Sequence, residues 1–294
     1  VLNKLIFFNA FGSGDIFESR EFIKEIMQII PAEQYLYAHG KNPKILRDIS
    51  NLSFTLYIDE FDIRKDIIKL GNNSLAWNTW IGRVPGKYVL PGIGCVVEEL
   101  YRMHNDMLKS IGYRNLSKPV FDYVPNINYD VYRECANVKY WLKTKVKHRK
   151  LHLIDNGNVQ SNQAMNFDFD PIIEEVANRC KDDFFIITHD SVIRLPNVWT
   201  TDEIICTEDG FDLNEISFLS RFCNTIIGRN SGPHVFSQVK DNWMDGNKSF
   251  LSFTYQKTGG YFILNQPVLA RKYWSPATTT PQVVENILEV IGEY

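Results

Sequence analysis

The sequence is poor in the features that announce a function class. It has no Cys-x-x-Cys pair and no Cys/His cluster at zinc spacing, and its five cysteines (95, 135, 180, 206 and 223) stand far apart. An odd, scattered set of thiols makes no disulfide framework, and it predicts reduced, mostly buried cysteines in a cytoplasmic setting. Neither charge is in excess: 32 Lys+Arg against 35 Asp+Glu leave a net charge of −3, so no electrostatic footprint for nucleic acid is visible. No apolar run approaches the roughly 18 residues of a membrane-spanning helix. Absent too are a Gly-x-Gly-x-x-Gly dinucleotide fingerprint, a phosphate-binding P-loop, a His-Glu-x-x-His zinc motif and a Gly-x-Ser-x-Gly elbow. Asp168-Phe169-Asp170 is a paired-carboxylate spacing, and it reads as the lead into a helix cap rather than a metal site. No cofactor is expected. Residues 1–8 are too short for a signal peptide and read as a buried strand. The start at Val1 rather than Met predicts a trimmed chain or one cut from a longer protein.

What is present is an ordinary globular composition, 44% hydrophobic and 23% charged, in 294 residues, a length for two domains at roughly 150 residues each. Short apolar runs alternate with helical periodicity. In the first half, strands are expected at 5–11, 34–38, 54–57 and 75–77. Helices are expected from Asp15 through Ile30, at 43–49 and at 95–110, the last ended by Gly112. An irregular stretch, 115–150, contains a basic helical piece at 131–146, ending in Lys143, Lys145, Lys147, His148, Arg149 and Lys150. That run reads either as a solvated helix end or as the basic wall of a cleft. The alternation then restarts. Strands are expected at 151–154, 184–187, 198–199, 225–227 and 249–253. Helices should start at Asp170-Pro171, at Asp212 with Glu215 as a capping box and carrying Phe222, at Ser231-Gly232-Pro233, and at Thr280-Pro281. Strands separated by helix-length segments imply parallel sheets with crossover helices. The fold class is therefore α/β, two doubly wound Rossmann-like domains facing across a cleft. The domains are expected at 1–130 and 131–275, with a C-terminal helix, 276–294, packing back toward the first.

In such sheets ligands bind beyond the carboxyl ends of the strands, and three turns lie there. Gly12-Ser13-Gly14-Asp15 joins the first strand to the first helix; Asp15 is either a helix cap or a general base for a hydroxyl nucleophile. Gly228-Arg229-Asn230-Ser231-Gly232-Pro233-His234 is either a serine-capped, proline-initiated helix or a phosphate cradle of backbone amides with Arg229 adding charge. Asp155-Asn156-Gly157-Asn158, followed by Ser161 and Gln163, is either a turn or a ligand edge. His189-Asp190 ends another strand on that edge. His39 and His104 read as structural, and Trp77, Trp80, Tyr255, Tyr261 and Trp274 as core aromatics rather than a sugar platform.

The pattern Leu213-x-Glu215-x₃-Leu219-x₃-Cys223-x₃-Ile227-x₃-Ser231-Gly232-Pro233-His234 resembles the donor half of GT-B glycosyltransferases, in particular the heptosyltransferase-like group. Phe11-Gly12-Ser13-Gly14-Asp15-Ile16 is similar to that group's N-terminal Gly-Asp turn. Here His234 follows Pro233 directly, and Asn230 stands where the group carries an acidic residue. The resemblance implies transfer of a sugar from a nucleotide-diphosphate sugar to a glycan hydroxyl, inverting and metal-independent. It implies Asp15 as catalytic base. Donor and phosphate contacts would come from Gly14, Asn156, Gly157, His189, Arg229, Ser231, Gly232, Pro233 and His234, and nucleoside contacts from Asp212, Leu213 and Glu215. The implied partners are a nucleotide sugar and a glycan acceptor. A nucleotide-sugar epimerase, or a non-catalytic nucleotide- or glycan-binding domain, are the competing readings.

Overall fold

The computed structural model describes residues 1–56, 58–81, 96–160, 164–255, 261 and 266–292. It divides into two compact units, Val1–Ile127 with Phe262–Gln266, and Asn128–Tyr261 with Pro267–Tyr294.

The first unit runs β1 (Leu2–Phe8), α1 (Ser13–Glu18), α2 (Arg20–Ile29), β2 (Ala32–Ala38), β3 (Leu52–Thr55), β4 (Ile67–Leu70), β5 (Ser74–Asn78) and α3 (Val96–Ser110). Its sheet has the order β3-β2-β1-β5-β4, parallel except for the β4–β5 pair, which sets Ile67 opposite Trp77. The strand expected over 5–11 stops at Phe8. Asn9 Oδ1 accepts the Phe11 amide at 2.8 Å, and this side-chain turn replaces the ladder. The helix expected through Ile30 is broken at Ser19, whose hydroxyl donates back to the Ile16 carbonyl at 2.7 Å. The unforeseen β4 pairs with β5 across the three-residue loop 71–73, in which Asn72 and Asn73 both take positive φ, 55° and 51°, a conformation that asparagine tolerates in turns. Tyr57 and Cys95, placed by the sequence in a strand and a helix, lie outside the described residues.

In the second unit α4 (Cys135–Trp141) passes into a wide π turn, Leu142–Val146, before β6 (Leu151–Ile154). There follow α5 (Asp170–Arg179), β7 (Phe184–Ile187), β8 (Val198–Thr200), α6 (Thr201–Ile205), α7 (Leu213–Ser220) and β9 (Thr225–Gly228). The unit ends with α8 (Gly232–Phe236), α9 (Lys240–Trp243), β10 (Ser249–Phe253), β11 (Arg271–Ser275) and α10 (Thr280–Ile291). The sheet order is β11-β10-β9-β6-β7-β8, and every pairing is parallel. Every residue of β6, β7, β9 and β10 is buried, as expected of strands covered on both faces by crossover helices.

The C-terminal helix belongs to the second unit. In α10, Val283, Val284, Ile287, Leu288 and Ile291 close one core with Ile172, Ile173 and Val176 of α5 and with Phe253. Phe222 falls beyond α7 and is 44% exposed. The expected Asp212–Glu215 capping box is missing, since Asp212 makes no side-chain cap; the box in this region is Thr200–Glu203, at the head of α6.

Candidate functional site

In the first unit the chain winds from β1 to β2 and β3 on one side, and β5 lies on the other. The topological switch point is thus at the carboxyl ends of β1 and β5, where a doubly wound sheet opens a crevice. Sequence chemistry concentrates there. Asn9 Nδ2 donates to Thr79 Oγ1 at 3.3 Å, Thr79 Oγ1 and the Tyr37 hydroxyl lie 2.6 Å apart, and Tyr37 lies 3.3 Å from Ser19 Oγ. This buried chain of hydroxyls locks the turn that carries Asp15. Gly12 is the N-cap of α1 and Asp15 its third residue. The Asp15 carboxylate reaches back to accept the Gly12 amide at 2.7 Å, so Asp15 supplies the acidic half of a cap rather than the cap itself.

That carboxylate is only partly exposed. Burial pushes its pKa up to about 6, against the opposing pull of the Gly12 amide and the Lys41 cation. One turn on, Glu18 is wholly buried, and burial, reinforced by the Asp15 charge, holds it well above the usual carboxylate range. Tyr37 is raised to about 12 and His39 lowered to about 4, each chiefly by burial. Asp15 therefore changes charge near pH 6, within reach of neutrality. Glu18, Tyr37 and Thr79 were missed by sequence reasoning, because a buried carboxyl in a helix and a tyrosine in a strand carry no local signature. Gly14 lies in the first turn of α1.

The second unit has its switch point between β6 and β9, and here Asp155 is the hub. Its carboxylate, 1% exposed, accepts Ser231 Oγ at 2.6 Å, the His234 amide at 3.3 Å, the Gly157 amide at 3.2 Å and Thr188 Oγ1 at 3.2 Å. Gly228 is required for this closeness: a Cβ there would sit 2.8 Å from Asp155 Cβ and 3.1 Å from His234 Cβ.

A phosphate cradle is expected from the sequence at Ser231, Gly232, Pro233 and His234. Pro233 has no N–H to offer, and the protein's own carboxylate already holds the Ser231 hydroxyl and the His234 amide, so an incoming anion meets negative charge. His234 is fully buried, and burial lowers its pKa to about 4, with the Asp155 charge opposing. The Arg229 guanidinium is fully buried, donates to the carbonyls of Gly157 (2.8 Å) and Phe167, and lies 4.2 and 4.5 Å from the ring centres of Phe167 and Phe169. Burial lowers it to about 10. It ties a loop rather than presenting a cation to a ligand.

The structure does bring together Asn156, Gly157 and His189. Asn156 Oδ1 accepts the His189 amide at 2.9 Å, joining the loops that follow β6 and β7. Beside them a cavity of about 500 Å³ is lined also by Asn158, Asn166, Phe167, Asp168, Asp190 and the start of α5. The His189 side chain is 53% exposed, with Nε2 3.8 Å from the Asp155 carboxylate. It rests over Gly157, where a Cβ would stand 2.2 Å from Nε2. Ser161 and Gln163, placed by the sequence on this edge, lie outside the described residues.

Of the nucleoside candidates, Glu215 is fully buried, and its charge adds to the burial that raises the Cys135 thiol to about 12. Leu213 packs over Gly232, where a Cβ would stand 3.5 Å from Leu213 Cδ2. Asp212 is raised to about 6 by burial, with the Thr201 hydroxyl opposing. Among the described residues no group of three or more His, Cys, Asp or Glu is arranged to hold a metal ion, and no helix is long and apolar enough to cross a membrane.

By sequence, the chain matches no family model and no curated protein. By structure it is similar to a glycosyl transferase family 9 protein from Veillonella parvula, with a TM-score of 0.57 at 10% identity over 99% of this chain and 89% of that one. It is similar also to ADP-heptose lipopolysaccharide heptosyltransferase II of E. coli, with a TM-score of 0.56 at 10% identity and 99% of each chain covered. E. coli heptosyltransferase WaaC, solved with ADP, aligns with a TM-score of 0.56 at 9% identity over 99% of each chain. The fold is that of GT-B glycosyltransferases.

Proposed function

We propose that the protein is a glycosyltransferase that moves a sugar from a nucleotide-diphosphate sugar to a hydroxyl of a glycan, with inversion and without a metal ion. The observation that carries this reading is the Asp15 carboxylate: at a switch point, bound through one oxygen to the Gly12 amide, and poised near pH 6. In the reaction the acceptor oxygen forms a bond to the anomeric carbon as the bond to the diphosphate oxygen breaks, and the acceptor proton passes to Asp15. One displacement inverts the centre. The fold shared with the heptosyltransferases supports the reading, although fold alone does not fix function.

On the donor side, the cavity beside β6 and β7 offers amides and carboxylates. These suit the hydroxyls of a sugar or ribose better than phosphate. His189 at its rim, near Asp155, is the group placed to meet the departing negative charge. Ser231 and His234, bound to Asp155, position that carboxylate and stand behind the ligand. Turnover of a panel of nucleotide sugars, with EDTA present and the product anomer read by NMR, tests the proposal. Loss of turnover in Asp15→Asn supports it, while full turnover in that variant, or a retained anomeric configuration, removes it.

A second reading, a binding module without turnover, is favoured by one observation: the carboxylate at the mouth of α8. Calorimetry that shows nucleotide or glycan binding without product across the panel would establish it instead.

A further inference from the structure

The basic run that the proposed function does not use has a place of its own. Between Lys139 and Lys150 stand six cations, Lys139, Lys143, Lys145, Lys147, Arg149 and Lys150, with no acidic residue among them, in a chain of net charge −3. Each of the six is exposed. The run ends directly before β6, at the amino end of the parallel sheet, whereas Asp155 and the cavity follow the carboxyl ends of β6 and β7. It is therefore no wall of that site.

Two further observations give the patch an amphipathic character. A groove of about 410 Å³ opens here, with an apolar floor of Leu142, Val146 and Phe222 and a cationic rim of Lys139, Lys147 and Arg149. Within that floor Phe222 is 44% exposed, and Tyr140, next to Lys139 in α4, is 71% exposed, large rings that a purely solvated face has no reason to present. The local backbone is unusual as well. The α4 helix widens into the π turn, and Lys147 is held at a φ of 48°, the left-handed region that non-glycine residues avoid. Stacking steadies three of the cations: Lys139 lies 5.5 Å from the Phe218 ring centre, Lys145 5.9 Å from that of Trp199, and Arg149 4.6 Å from that of Phe184. Asp183, on the same edge, is taken up by His152 at 3.0 Å, so it does not neutralise the run.

From this combination we infer that the Lys139–Lys150 face of the second unit docks on an anionic phospholipid surface. Lysines dominate, and they act as compact point charges suited to a diffuse negative layer rather than to a fixed bidentate partner. The exposed rings and the apolar groove provide the shallow insertion that an acidic polypeptide would not require. This inference does not depend on the glycosyl-transfer reading.

The test is sedimentation of the whole protein with vesicles of phosphatidylcholine, with and without phosphatidylserine, at low and high salt. The expected result is partition onto the phosphatidylserine vesicles alone, lost at high salt. The double variant Lys143→Gln/Lys147→Gln should weaken that partition about twenty-five-fold, since each lysine near such a surface contributes roughly fivefold. Phe222→Ser should weaken it while leaving its salt dependence in place. Far-UV circular dichroism of each variant checks folding. Equal binding to neutral vesicles, no binding to either, or wild-type partition by the double variant overturns the inference. So does tighter binding to poly-glutamate than to the vesicles, which would assign the face to an acidic protein partner.

Discussion

Asp15 shows how one side chain carries two opposed demands. Its pKa of about 6 lies above that of the unfolded chain, so between about pH 4 and 6 the native state holds the extra proton. Stability therefore falls as pH rises through that window. Replacing it with Asn, which keeps an oxygen for the Gly12 amide, should raise the melting temperature at pH 8 and leave it nearly unchanged at pH 4. The same substitution should cut turnover by ~10²–10⁴-fold, the usual worth of a general base. Wild-type kcat/KM should rise with pH and level off above about pH 6, a limb absent from the variant. The residue itself was legible, because a Gly-Ser-Gly-Asp turn after an apolar strand is a local pattern. What burial does to it was not: the hydroxyl chain beneath it joins Asn9, Ser19, Tyr37 and Thr79, positions up to 70 residues apart in the sequence.

The turn from β9 into α8 teaches a different lesson. Read along the sequence, Gly228 to His234 is a strand, a glycine turn and a helix start, and all three are present. Its chemistry is inverted by a residue 76 positions earlier, Asp155, which accepts the Ser231 hydroxyl. No local pattern could foretell that a carboxylate would close the helix mouth, or that Arg229 would be drawn inward between two phenylalanines. Gly228→Ala should cost about 1–3 kcal/mol in urea unfolding, because the clash falls on Cβ atoms near the backbone, where little can give. Arg229→Met should cost about 1–3 kcal/mol, since it leaves the Gly157 and Phe167 carbonyls without their donor. A loss of less than 1 kcal/mol for Arg229→Met would show that the loop is held by other means.

At the scale of the whole chain, alternation of strand and helix was readable from periodicity, and the parallel sheets follow from it. Sheet order was not, and neither was the destination of the last helix: α10 looks the same from its own sequence whichever unit it joins. Its burial decides the matter. Ile287 is fully enclosed in the second unit's core, so Ile287→Ala should cost about 2–5 kcal/mol by urea unfolding followed through circular dichroism. A change under 1 kcal/mol would mean that the helix contributes little to that core. All six strands of this unit run the same way, so the connections entering and leaving the strands are sorted to opposite ends of the sheet. The lysine run sits at one end, and Asp155, Asp168 and Asp190 gather at the other. The unit is in consequence an oriented electrical object, with a moment along its strands. A charged boundary would turn it before touching it, cationic end inward and acidic cavity toward open solution.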